Sequence, residues 1–337
     1  MHIAPIHVRW PATLPKALLP LLLFLVALPA GALDVSRPEV RAFIDTMCRE
    51  HGFERAPLKV LLAQAETKQA ILDAISRPAE RVVPWFEYRD RFLTEKRILQ
   101  GADFWSAHGA QLGQISDPNV AAAIVGILGV ETSFGRVTGR YRVIDALTTL
   151  AFDYPPRADF FRDELQEFLM LAREEAVDPT SVLGSYAGAM GAPQFISSSY
   201  RKWAVDGDGN GHRDLWGSWD DVIDSVANYL IMHGWRAGEP VVVNATLSDP
   251  DLTRFDTSKV ELNETVQSLR DKGVRFETPL AGDAPAMLIV SQGRDGPEYR
   301  VGFTNFYAIT RYNRSTMYAM AVHDLGAAIR NFMRDAR

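Results

Sequence analysis

Glu131 ends an apolar run, Val120 to Val130, that contains no polar side chain. A carboxyl placed there loses hydration, which disfavours its charged form and raises its pKa. A carboxylic acid that stays protonated near neutral pH can act as a general acid. Taken alone, Glu131 could equally be a capped or ion-paired glutamate at a helix end. The Glu-Thr-Ser-Phe-Gly sequence from Glu131 to Gly135 does not decide between the two.

Three further segments have chemistry-bearing composition. In Gly184 to Phe195, small residues and two aromatics surround Ser185 and Gln194. Such a segment lets backbone approach a bulky ligand while a hydroxyl and an amide supply hydrogen bonds, although any one glycine could serve tight packing. In Asn305 to Asn313, the tyrosines Tyr307 and Tyr312 stand with Asn313, giving apolar faces with polar edges that suit sugars. The same rings would also serve a core.

The third segment, Asp206 to Trp216, places Asp206, Asp208 and Asn210 at alternating positions before Gly211. That is the front of an EF-hand calcium loop, in which His212 would contribute its backbone carbonyl. The usual closing glutamate is replaced by Gly217, so Asp220 or Asp221 would have to close a longer loop. A bound calcium or sodium ion is expected here in a structural role, since no position looks open for catalysis; the alternative is an ion-free Asp/Gly turn. No cofactor is expected for catalysis. The sequence has no nucleophile elbow, P-loop, dinucleotide fingerprint or His-Glu-x-x-His, and its seven histidines are scattered.

The elements that must position these residues are mostly helical. Asp117 and Pro118 open a helix through the apolar run as cap and first-turn proline, and the run is apolar all round, as in a buried helix. Before it, Arg37 to about Gln114 shows helical spacing at Val40, Phe43, Ile44 and Met47, and less regularly at Val60, Leu61 and Ala65. Pro57 and Pro78 punctuate that region, and Pro84 to Tyr88 reads as a packed connection. Further helices are predicted over Phe160–Glu175, Asp220–His233 and Thr316–Met333. Between Glu239 and Gly302, short strands are predicted at Val241–Val243, Ala286–Val290 and Tyr299–Phe303.

The N-terminal 32 residues read as a secretory leader. Arg9 and Lys16 precede an apolar stretch from Leu18 to Leu28, and Ala30-Gly31-Ala32 supplies the cleavage pattern; an uncleaved anchor is the alternative. The only cysteine is Cys48, so there is neither a lipid-accepting cysteine after the leader nor an internal disulfide. It is expected to pack on a helix. Without residues 1–32 the chain has 34 Lys+Arg against 42 Asp+Glu, net −8. That balance argues against nucleic acid or an anionic membrane as an electrostatic partner.

Together and in this order, the segments resemble the lytic transglycosylase B family of murein-degrading enzymes. The likeness rests on Gly129 to Thr132, Ser185 to Phe195, Asp206 to Trp216, Ser225 to Tyr229 with His233-Gly234-Trp235, and Asn305 to Asn313. It spans about residues 37 to 335.

The resemblance implies an α+β fold, mainly α-helical, with a lysozyme-like core at 116–238 and 303–337. A helical subdomain would occupy 33–115 and a small β-containing insertion 239–302. It implies cleavage of the β-1,4 bond between N-acetylmuramic acid and N-acetylglucosamine, leaving 1,6-anhydromuramoyl ends, in cell-wall turnover. Glu131 falls on the catalytic glutamate, and Ser185, Gln194, Phe195, Tyr229 and Tyr312 on saccharide-groove positions. Asp206, Asp208 and Asn210 fall on the metal loop, with Asp220 or Asp221 closing it. Where the family often has paired arginines after Tyr-Pro, this chain reads Tyr154-Pro155-Pro156-Arg157, so only Arg157 carries over.

The implied partners are peptidoglycan strands, with cell-wall synthases or divisome proteins as further candidates, and the implied protein is an exported, periplasmic monomer. A lysozyme-type hydrolase and a non-catalytic glycan-binding protein are the competing readings.

Overall fold

The apolar run forms the central helix. In the computed structural model, which describes residues 31–76, 83–249 and 251–335, the preceding elements are α1 (Pro38–His51), α2 (Arg55–Leu62), α3 (Gln69–Ser76), α4 (Trp85–Asp90), α5 (Glu95–Ala107) and α6 (Gly109–Gln114). The run itself is α7 (Pro118–Thr132), buried from Val120 to Gly129. Asp117 caps it, accepting from Asn119 N at 2.8 Å, and Pro118 takes the first turn. Each fully buried Val, Leu or Ile contributes roughly 1.5–3 kcal/mol, so α7 is a rigid platform.

Residues 1–30 of the expected leader lie outside the described residues. The last two, Gly31 and Ala32, meet the chain again at Thr67 and Glu66. Two local expectations change. In α2 the buried residues are Leu58 and Leu62, one turn apart, and Val60 faces outward, 63% exposed. Pro84–Tyr88 is no mere connection. Pro84 supplies an extended N-cap, and burial of Trp85 anchors α4. Cys48 lies on α1 and packs against the core.

After α7 come β1 (Tyr141–Arg142), α8 (Val143–Asp153), α9 (Ala158–Glu174), β2 (Leu183–Gly184), α10 (Ser197–Trp203) and α11 (Trp219–Met232). The β1–β2 pair is antiparallel. The sheet region holds β3 (Val242–Leu247), β4 (Glu264–Thr265), α12 (Val266–Asp271), β5 (Val274–Arg275), β6 (Pro285–Gln292) and β7 (Pro297–Gly302). These strands form one antiparallel sheet in the order β4-β6-β7-β3-β5. Alternation along β6 sends Ala286 and Leu288 into a small core with Phe255, Leu269 and Phe303. Met287 and Ile289 join the main core, which runs without a break from Leu33 to Ile329.

The chain closes with α13 (Thr304–Tyr312) and α14 (Thr316–Asp335). Helix α14 runs antiparallel along α7 at very short range. A Cβ on Gly126 would lie 2.2 Å from the Val322 carbonyl oxygen, and one on Gly326 would lie 2.1 Å from that of Ala122. Only glycine fits at these two positions. The same register continues to Glu131 and Tyr318.

Candidate active site

Glu131 opens into a cleft of about 370 Å³ whose wall includes Ser185, Gln194, Phe195, Tyr229, Tyr312 and Asn313. Its carboxyl sits deep, with part of the side chain still reaching solvent. Burial pushes its pKa up to about 7, opposed in part by the hydrogen bond that Tyr318 Oη donates to its Oε1 at 2.6 Å. Among the described residues lining the cleft, Glu131 is the sole carboxylic acid.

The turn after Glu131 is fixed by unusual backbone. Ser133 and Phe134 have φ of 51° and 61°, followed by Gly135 at 76°. Thr132 locks this turn, its hydroxyl donating to Ala192 O at 2.8 Å and accepting from Gly135 N at 2.9 Å. The Ser185–Phe195 loop is thereby tied to the end of α7.

In that loop the Ser185 hydroxyl oxygen accepts from Ala189 N at 3.0 Å and Ala187 N at 3.3 Å. With both lone pairs engaged, its proton is left to donate into the cleft. Gln194, itself at φ 54°, donates from Nε2 to Thr138 O and Gly191 O, each at 3.0 Å, leaving its amide oxygen available as an acceptor. Phe195, Tyr229 and Tyr312 form one aromatic wall, with ring centroids 4.8 to 5.7 Å apart. The two tyrosine hydroxyls are held by backbone: Tyr312 Oη donates to Pro193 O at 2.5 Å and Tyr229 Oη to Arg311 O at 2.7 Å.

Two residues expected in the groove are absent from its wall. Arg157 is exposed on a short 3-10 turn, its guanidinium stacked over Phe160 and Phe161 at 4.3 and 5.2 Å. Tyr307 lies one helical turn before Arg311, whose guanidinium covers its ring at 4.1 Å. It is Arg311 that reaches the cleft.

The sequence reading had omitted three contributors: Tyr186, 40% exposed at the rim, Arg311, and Tyr318, which touches Glu131. A buried tyrosine on the apolar face of a helix, two turns before a glycine, was the available signal for Tyr318.

The acidic loop is built around Asp221. Its carboxylate is fully buried at the start of α11, with Oδ1 accepting from Gly207 N at 2.8 Å and Oδ2 from Asp214 N at 2.6 Å. Oxygens of Asp206, Asp208 and Asp221 lie within 4.8 Å of one another, so three hard donors converge. Asp206 is held below the usual carboxylate range, chiefly by Gly211 N–H. Asp220 is not in this group, and it is its backbone carbonyl that faces Gly207. The Asn210 side-chain oxygen accepts from His212 N at 2.9 Å, and the His212 ring turns outward. The three converging carboxylates fit a calcium-class cation better than a transition metal.

The family model for the transglycosylase SLT domain matches residues 36–327. The sequence is 40% identical over 308 residues to membrane-bound lytic murein transglycosylase B of Escherichia coli K12, covering 87% of this chain and 83% of that protein. The structure resembles soluble lytic transglycosylase SltB1 from Pseudomonas aeruginosa with a TM-score of 0.84 and 51% identity, covering 88% of this chain and 99% of that one. It also resembles the E. coli lytic transglycosylase Slt35 solved in complex with calcium, with a TM-score of 0.81 and 39% identity, covering 90% and 96%. With the family model matched over most of its length and the fold shared with these enzymes, the chain belongs to the transglycosylase SLT domain family.

Proposed function

We propose that this protein is a lytic transglycosylase that cleaves murein between N-acetylmuramic acid and N-acetylglucosamine, leaving 1,6-anhydromuramoyl ends. The observation that carries this is the lone carboxyl in the cleft, held protonated near neutral pH by burial. Glycosidases that use water generally need a second carboxylate as base or nucleophile. With one, the substrate must supply the nucleophile.

Glu131 first gives its proton to the glycosidic oxygen as the bond to C1 breaks. The muramoyl N-acetyl oxygen stabilises the cation at C1, and the free Ser185 proton can donate to a saccharide oxygen and hold the sugar in place. The Glu131 carboxylate, accepting from Tyr318, then removes the proton from the muramoyl 6-hydroxyl as that oxygen bonds to C1. Proton count returns to its start and no water is consumed. Because the attacking hydroxyl belongs to the same sugar, its effective concentration greatly exceeds that of water in reach.

Mass spectrometry of digested murein should give muropeptides one water lighter than reducing-end products. Mainly reducing-end products would instead establish a lysozyme-type hydrolase.

Tyr318→Phe should move the alkaline limb of the kcat/KM profile to higher pH. The Tyr318 hydrogen bond lowers the Glu131 pKa, so its removal raises that pKa further and keeps the acid form to higher pH. The same change takes a donor from the carboxylate formed after proton transfer, so kcat should fall about tenfold. A limb that stays in place would reduce Tyr318 to packing.

The 206–221 loop is read as a structural calcium site held by Asp206, Asp208 and Asp221, supplying charge neutralisation beside α11. Export to the periplasm follows from the leader-like N-terminus. Among the described residues no helix is long and apolar enough to cross a membrane.

A further inference from the structure

The segment after Glu131 borders two cavities. Its Thr138 carbonyl holds the cleft residue Gln194, while Ser133 and Arg136 line a second cavity of about 240 Å³. Helix α5 completes that wall with Lys96, Arg97 and Gln100. Three cations therefore surround one small space, and among the described residues no acid lines it.

This is unusual for a chain with 42 acids against 36 bases. Several other part-buried arginines are paired with acids: Arg201 with Glu167 and Glu174, Arg213 with Glu175, Arg300 with Asp324. None of Lys96, Arg97 or Arg136 has a carboxylate within 4.0 Å among the described residues; Glu95 is adjacent in sequence but outside the wall. Arg97 donates to Gly129 O at 2.6 Å and Arg136 to Ser133 O at 3.1 Å. Those contacts cap the end of α7, yet use one N–H of the five on each guanidinium. Lys96 takes no part in that capping.

Resting on the murein reading above, we propose that this cavity binds a carboxylate of the peptide stem carried by the muramoyl residue at Glu131. Glu131 and Ser133 are two residues apart, so their Cα atoms lie within about 7.6 Å. An extended peptide advances roughly 3.3–3.6 Å per residue. A stem that leaves the sugar beside Glu131 toward α5 would span a separation of that order in two or three residues. The planar guanidinium forks and the Lys96 ammonium match that group.

The test compares murein glycan strands bearing stems with the same strands stripped of stems by an amidase. Lys96 and Arg136 are exposed, so the Lys96→Gln, Arg136→Gln protein should fold normally, which its melting temperature checks. KM for stem-bearing strands should rise about fivefold to tenfold, as expected for two exposed charge contacts. The kcat and the rate on bare strands should hold, and Lys96→Arg with Arg136→Lys should restore KM. An equal loss on both substrates, or none on either, overturns the proposal. A wild-type protein that cuts neither substrate overturns the murein reading instead.

Discussion

Glu131→Gln should abolish murein cleavage, lowering kcat by about 10³-fold or more, while leaving binding to glycan strands intact. General acid and general base roles are each worth typically 10²–10⁴-fold, and one side chain carries both here. Glutamine keeps the shape, and its amide oxygen can still accept from Tyr318, so the cleft should survive. Turnover measured beside strand co-sedimentation separates the two effects. Undiminished activity would make the chain a glycan-binding protein.

The same substitution should raise stability at alkaline pH. Glu131 goes from an ordinary 4.5 to about 7 on folding, so the folded state holds its proton more tightly. That stabilising linkage is present in full below pH 4.5 and is lost as pH rises through 7. A shift of this size corresponds to about 3 kcal/mol. Above pH 7 the wild type bears that cost and the glutamine variant does not. Melting curves at pH 5 and pH 8 should therefore show a gap that opens only at pH 8.

Asp221→Ala should be the most damaging change away from the cleft. It strips acceptors from the backbone N–H groups of Gly207, Asp208 and Asp214 around a fully buried position. Each orphaned buried donor costs about 1–3 kcal/mol, so a loss of about 3–5 kcal/mol is expected. For a protein of this size that lowers Tm by roughly 6–15 °C. Asp220→Ala, whose carboxylate lies outside the converging group, should change Tm by no more than about 1 °C. Calcium should raise the wild-type Tm and chelation reverse it, with no response left in Asp221→Ala. Identical wild-type melts with and without calcium would refute the ion while leaving the hydrogen-bond account of Asp221 standing.

What was legible in the sequence follows physical range. The Asp117-Pro118 start of α7 and its burial are local, written in capping chemistry and an unbroken apolar run. The β6 strand is equally local, an apolar run bounded by turn residues, whereas its division between two cores is set by the packing on either face. The choice between Asp220 and Asp221 was not, because it depends on how α11 is rotated against a loop that begins thirteen residues earlier. Tyr318 was hidden for a similar reason: it meets Glu131 across 187 residues of chain. Arg157 and Tyr307 lie off the cleft wall because a cation–π partner within four residues holds each: Phe160 under Arg157, and Arg311 over Tyr307.

The crossing of α7 and α14 gives the acid its mechanical character. With Gly126 and Gly326 set against opposing carbonyl oxygens, the spacing between Glu131 and Tyr318 is dictated by main chain touching main chain. The proton donor thus behaves as a fixed anvil, presenting the same acid in the same alignment to whatever enters the cleft.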